Sequence, residues 1–243
     1  MRCFFYIALA TIMMPGLLSA QDKEPDLTRP FLYLNNGSIL SEHQFQVNNN
    51  ISKFKDLNGK KIALKNIRFY QSGSEYFAAY KGKLAPREQT GIFDIYARHY
   101  SGYYNASTNR VIPPASYYYY AQGFGEVKQL KYNNLKTDLT AFPNNRFPEE
   151  ERIILDLLQK GKKRDTTREI LRWTGAASML ASLVLLGSGN KGGSSGNYQQ
   201  NSYVAPLALS LGGAGLLIAY RGINGGYVFY EDAVKSYNIM YGE

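Results

Sequence analysis

Two long apolar runs without a single charge, Trp173–Ser188 and Tyr203–Tyr220, constrain this chain more than any other feature in it. A bilayer-crossing helix needs on the order of 20 consecutive apolar residues. Both runs fall at the short end of that range, about 24–27 Å long if helical. A Gly/Ser/Asn-rich segment, Gly189–Ser202, separates them. The pattern predicts a transmembrane helical hairpin over 166–222, with spans near 170–188 and 203–220. The competing reading is a pair of apolar helices buried in a soluble core.

The flanks fit a bilayer. Arg172 and Trp173 stand where a snorkelling cation and an interfacial aromatic belong, and Tyr203 and Tyr220 bracket the second run. These four are the expected membrane-interface residues. No ionisable residue lies inside either run, which leaves no intramembrane proton relay or ion site and argues against a transporter. Small residues recur four apart at Ala177/Ala181, Ser178/Ser182, Ala208/Gly212 and Ser210/Ala214. That spacing lets helices approach closely and predicts that the two spans pack on each other. Self-association into an oligomeric pore is the rival use of the same face.

Met1–Ala20 has the parts of a secretory signal: Arg2, an apolar stretch over Phe4–Met14, and a small-residue end at Leu18-Ser19-Ala20. Residues 1–20 are expected to be removed, with the rest of the chain exported. The cations Lys160, Lys162, Lys163, Arg164, Arg168 and Arg172 pull the other way, because a basic collar ahead of a span favours the cytoplasmic side. Long domains translocate largely regardless of charge, so the leader decides. The expected location is a cell-envelope membrane with the soluble domain on the exported side.

The net charge of +9 is spread along the chain rather than gathered in one stripe. That suits an anionic membrane surface, and nucleic acid is not an expected partner. The one cysteine, Cys3, lies in the leader, so the rest of the chain has no disulfide and no thiolate site. The two histidines, His43 and His99, lack metal-ligand spacing, and none of the common phosphate, dinucleotide or hydrolase motifs is present. No catalytic residue, metal or cofactor is assigned. An enzyme using His99 with Asp94 or Glu75 is a remaining alternative.

Residues 21–147 read as a sheet-rich domain ending in a helix. Strand character marks Phe31–Leu34, Phe45–Val47, Lys61–Tyr70, Glu75–Leu84 and Gly91–Tyr100, with a slip in alternation at Asn66 that a bulge would explain. Asn58-Gly59, Ser72-Gly73 and Lys81-Gly82 punctuate as turns. Tyr132, Leu135, Leu139 and Phe142 then share a helical face, and Phe142-Pro143 ends it. Residues 148–165 form an amphipathic basic helix or connector carrying Ile153, Ile154, Leu157 and Leu158. Gly161 is expected to interrupt it, with Thr166 capping the first span. Residues 223–243, with Phe229, Ala233, Val234 and Tyr237 at helical spacing, form an amphipathic tail that extends the second span or lies along a surface. The fold class is α+β: a small antiparallel sheet domain, a helical pair and the C-terminal two-helix hairpin.

Tyrosine is the compositional oddity, with 21 in the chain. Tyr96, Tyr100, Tyr103, Tyr104 and the run Tyr117, Tyr118, Tyr119 and Tyr120 crowd one stretch. Successive strand residues face opposite sides of a sheet, so part of this set must meet solvent or a partner. It is the expected binding surface, suited to a protein or glycan. The expected role is non-catalytic scaffolding, assembly or recognition by a membrane-anchored, bacterial-type envelope protein. The expected partners are the lipid bilayer, an envelope protein or further copies of this chain.

Overall fold

The computed structural model describes residues 28–48, 51, 53–140, 148–188 and 204–242. The leader 1–20, the Phe142-Pro143 break, the connecting segment Gly189–Ser202 and Tyr203 lie outside them. The chain divides into two compact units that meet in sequence at Pro86 and Arg87. Its class is α+β.

The first unit is antiparallel sheet. Strands β1 (Phe31–Leu34), β2 (Ile39–Ser41), β3 (Phe45–Val47), β4 (Phe54–Asp56), β5 (Lys61–Ile62), β6 (Ile67–Ser72) and β7 (Glu75–Tyr80) are followed by the start of β8 (Lys83–Gln89). The main order is β2-β1-β6-β7-β8, and β3-β4-β5 form a separate sheet. The expected strand Lys61–Tyr70 is in fact two, split by a 3-10 turn over Leu64–Asn66. The slip in alternation is real but sits two residues later: β1 pairs Tyr33 with Phe69 and Leu34 with Ile67, so Arg68 is the extra residue. This bulge brings Ile67 and Tyr70 to the same side, where they join Leu32, Phe45 and Phe54 in a buried cluster. The expected strand Glu75–Leu84 is the β7–β8 hairpin, turned at Lys81-Gly82 with both residues at positive φ, as a type I′ turn requires.

The second unit packs sheet against helices. The rest of β8 pairs with β9 (Phe93–Tyr100), β9 with β12 (Ala115–Gln122) over their full length, and β12 with β13 (Lys128–Gln129). A separate ribbon is formed by β10 (Tyr103–Asn105) and β11 (Arg110–Ile112). Helices α1 (Tyr132–Leu139), α2 (Pro148–Ser188), α3 (Val204–Gly222) and α4 (Tyr227–Tyr241) complete it. Alternation sends Phe93, Ile95 and Tyr120 towards the helices, where they meet Leu135 and Leu139 of α1, Ile154 and Leu158 of α2, and Tyr230, Ala233, Val234 and Tyr237 of α4.

Two expectations about the helices are overturned. Gly161 does not interrupt α2, which runs unbroken for 41 residues. Thr166 is not a cap; its hydroxyl donates to the Lys162 carbonyl 3.0 Å away, one turn back inside the helix. The reason for Gly161 is steric. It faces the Tyr230 ring, and a Cβ there would lie 2.2 Å from the ring edge. The C-terminal tail does not prolong α3; it is a separate amphipathic helix with Val228, Asp232 and Ile239 exposed on its outer face. It turns back at Gly225-Gly226, and its inner face completes the core. Asn238 stitches it to the sheet: the Phe93 N–H donates to Asn238 Oδ1 at 3.0 Å and Asn238 Nδ2 donates to the Phe93 carbonyl at 2.9 Å.

Candidate functional site

Beyond Arg168, α2 leaves the core and runs with α3 as an apolar hairpin. The inward positions of α2 run Glu151, Ile154, Leu158, Gly161 and Asp165 in the core and then Gly175 and Ser182 in the hairpin, drifting around the helix so that the core face hands over to the seam. The seam is tightest at Gly175 and Gly213. A Cβ on Gly175 would lie 2.9 Å from the Gly213 carbonyl oxygen, and one on Gly213 2.8 Å from that of Gly175. Ser182, buried in the seam, donates to the Met179 carbonyl at 2.7 Å. Of the small-residue pairs expected to line the seam, Ser178/Ser182 and Ser210/Ala214 face it, while Ala177/Ala181 and Ala208/Gly212 point outward.

Among the described residues, nothing covers the hairpin's other, apolar faces. Leu180, Leu183, Val184, Leu207, Leu211 and Ile218 are each more than 60% exposed. Both helices are long and apolar enough to cross a membrane, and only 11% of each apolar window is buried. Soluble monomers rarely expose large apolar patches, which mark protein–protein or membrane interaction surfaces. At its base, Arg172 lies over the exposed Trp173 ring, 5.4 Å from its centre, and pairs with Glu169 at 3.6 Å. Tyr220 is half-buried beneath the Arg168 guanidinium at 4.8 Å.

The tyrosine set divides between core and surface. Tyr96 and Tyr120 are fully buried, and Tyr119 nearly so. Tyr96 donates to Asp94 Oδ2 at 3.2 Å, and Tyr120 to Asp138 Oδ2 at 2.7 Å, where Lys128 also holds the carboxylate. Burial, reinforced by Asp138, raises the Tyr120 phenol far above its ordinary value. Tyr118 stacks on Tyr227 of α4 with ring centres 4.5 Å apart, and burial raises its phenol as well. The exposed members are Tyr103 and Tyr104 on the β10–β11 ribbon and Tyr117 on β12. Tyr100 packs edge-on against Tyr117 at 5.7 Å and carries Arg98 over its ring at 4.6 Å.

His99 is not paired with Asp94 or Glu75. Asp94 is spent on Arg87, Tyr96 and the Gly91 N–H. Instead, His99 Nε2 meets Glu88 at 2.7 Å and Nδ1 meets the Ser116 hydroxyl at 2.8 Å. The β8–β9 register skips Glu88, and that bulge is the signal that sequence reading missed. The three side chains lie on an open sheet surface, with His99 55% and Glu88 39% exposed. Such a solvent-exposed pair contributes little to stability.

No known protein family matches this chain, and no curated protein or solved structure is significantly similar to it. Among the described residues, no cluster of His, Cys, Asp and Glu is arranged to hold a metal.

Proposed function

We propose that this chain is a membrane-anchored protein of the cell envelope, exported by its leader, with a non-catalytic scaffolding or recognition role. The observation that carries the reading is the uncovered apolar surface of the α2–α3 hairpin, which has no counterpart elsewhere among the described residues. Exposure of that much hydrocarbon is stable when lipid replaces water around it. The anchor is joined to the soluble core without a flexible linker, because α2 is one continuous helix and α4 returns to the same core. Both ends of the hairpin therefore lie on one side of the bilayer. Tyr103, Tyr104 and Tyr117, with Tyr100 behind them, supply the surface for a protein or glycan ligand.

Carbonate extraction of membranes from cells making the full chain tests the anchor. Retention in the pellet is the expected result, and release into the supernatant overturns the reading. A reporter fused after Glu243 tests the side: it should read out as exported, together with a reporter in the first unit.

A second reading, assembly of several hairpins into a pore, is favoured by one observation. Gly212 and Gly215 face open space, and Ala177, Ala181 and Ala208 share the outward surface, so a face suited to another helix is free. A detergent-stable oligomer conducting ions in liposomes would support it.

A further inference from the structure

At the foot of the hairpin, α1, α2, α3 and α4 border an open cleft of about 400 Å³ whose lining includes Lys131, Tyr132, Lys162, Arg168, Tyr220 and Tyr230. A second groove of about 590 Å³ runs beside it, sharing Lys162 and adding Lys160 and Lys163. Two carboxylates also border the cleft, and both are engaged. Asp165 accepts from the Gly226 N–H at 2.7 Å and from the Tyr230 hydroxyl at 2.8 Å, while Glu169 pairs with Arg172. Among the described residues, no carboxylate pairs with Lys131, Lys162 or Arg168.

Arg168 is the centre of the arrangement. Its guanidinium is braced on the Tyr220 ring, and its Nε is buried without an acceptor among the described residues. The rest of the guanidinium lines the cleft without a carboxylate partner among the described residues, and an anion there would meet its remaining donors. The N-terminus of α1 opens at the same place. Its N-cap is Lys131, which has no side-chain oxygen to cap the first amides. Free helix amides beside a cation form a phosphate-binding arrangement. The height is also right: Arg168 precedes Trp173 by five residues, about 7 Å along the helix.

We infer that this cleft holds the phosphate of an anionic lipid headgroup, with Arg168, Lys162 and Lys131 as its ligands. The inference rests on the membrane reading above. It explains why a basic collar lies against the hairpin irrespective of the side on which the domain stands.

Flotation of the purified full chain with vesicles tests both layers separately. Wild type should bind phosphatidylcholine vesicles through the hairpin and bind more tightly when phosphatidylglycerol is included. Each cation near an anionic surface contributes about fivefold, the equivalent of ~1 kcal/mol. Lys162→Gln with Arg168→Gln should therefore remove about 25-fold of the phosphatidylglycerol preference and leave binding to phosphatidylcholine unchanged. Lys55→Gln with Lys61→Gln, the same loss of charge on β4 and β5 of the other unit, should keep the preference. Lys131→Gln with Lys162→Gln provides the test if Arg168→Gln unfolds the chain. Equal loss in the β4–β5 variant overturns the site in favour of diffuse charge. Removal of the preference by inorganic phosphate, with saturable phosphate binding in detergent, overturns the lipid source. Binding to phosphatidylcholine without any phosphatidylglycerol preference overturns this inference alone. Failure to bind either vesicle overturns the membrane reading beneath it.

Discussion

The Tyr230 ring lies directly on Gly161, and the Tyr230 hydroxyl reaches over to Asp165 one turn along the same helix. A residue that would break a lone helix is thus the point where α4 locks onto α2. The contact holds together the core and the root of the hairpin.

In a solvent-facing helix, Gly→Ala is stabilising by up to ~1 kcal/mol. Gly161→Ala should do the reverse and cost about 1–3 kcal/mol, because its methyl overlaps a buried ring. Denaturation in mild detergent measures it, and a rise in Tm would refute the packing. Combining it with Tyr230→Ala should cost less than the sum of the two changes.

Gly212 and Gly213 are neighbours with opposite surroundings: open space at the first, the Gly175 backbone and Met179 at the second. Gly213→Val should separate α3 from α2 and lower hydrogen-exchange protection along the hairpin. Gly212→Val should leave that protection intact. Equal effects would show that the seam is elsewhere.

Asn238 satisfies both backbone groups of Phe93. Asn238→Ala leaves a donor and an acceptor unmatched and should cost about 1–3 kcal/mol for each. Ending the chain at Gly222 removes four buried core residues along with Asn238, and the second unit should then lose near-UV circular dichroism and protease resistance. A truncated chain that kept both would refute the core assignment.

Tyr120 and Tyr230 are held neutral, first by burial and then by Asp138 and Asp165. Unfolded, both titrate at the ordinary 10.0. Their stabilising effect is therefore fully present below pH 10 and is lost as pH rises beyond it, where the unfolded chain releases protons that the folded chain keeps. The slope is at most ~1.4 kcal/mol per pH unit for each phenol. Tyr120→Phe and Tyr230→Phe should each flatten the alkaline limb of a stability profile.

The tyrosines should separate into two phenotypes. Tyr103→Ser, Tyr104→Ser and Tyr117→Ser should each change stability by no more than about 0.5 kcal/mol while reducing capture of a binding partner. Tyr120→Ser should unfold or strongly destabilise the second unit. Unchanged co-purifying proteins in the triple exposed variant would remove the surface from consideration.

Much of the fold was legible because its signals are local. Turns at Asn58-Gly59 and Lys81-Gly82, the Leu135/Leu139 face and the Ile154/Leu158 stripe arise from short-range periodicity and backbone preference. The bulge at Glu88 was not legible, and the one at Arg68 showed only as a slip read at Asn66, since a register shift is fixed only relative to a partner strand. For the same reason the partners of His99 could not be read from spacing. The burial of Tyr120 and the covering of Tyr118 depended on α4, a helix more than a hundred residues away in the chain.

The apolar, charge-free hairpin and the small residues along it belong to the chain's own pattern, because hydrophobic length and helical period need no partner to be recognised. The fate of the last helix did not. An amphipathic segment has the same period whether its apolar face meets lipid, solvent or a sheet. Only the presence of a matching surface, here Phe93, Ile95 and Tyr120 with Gly161 left open for Tyr230, turned the tail into core.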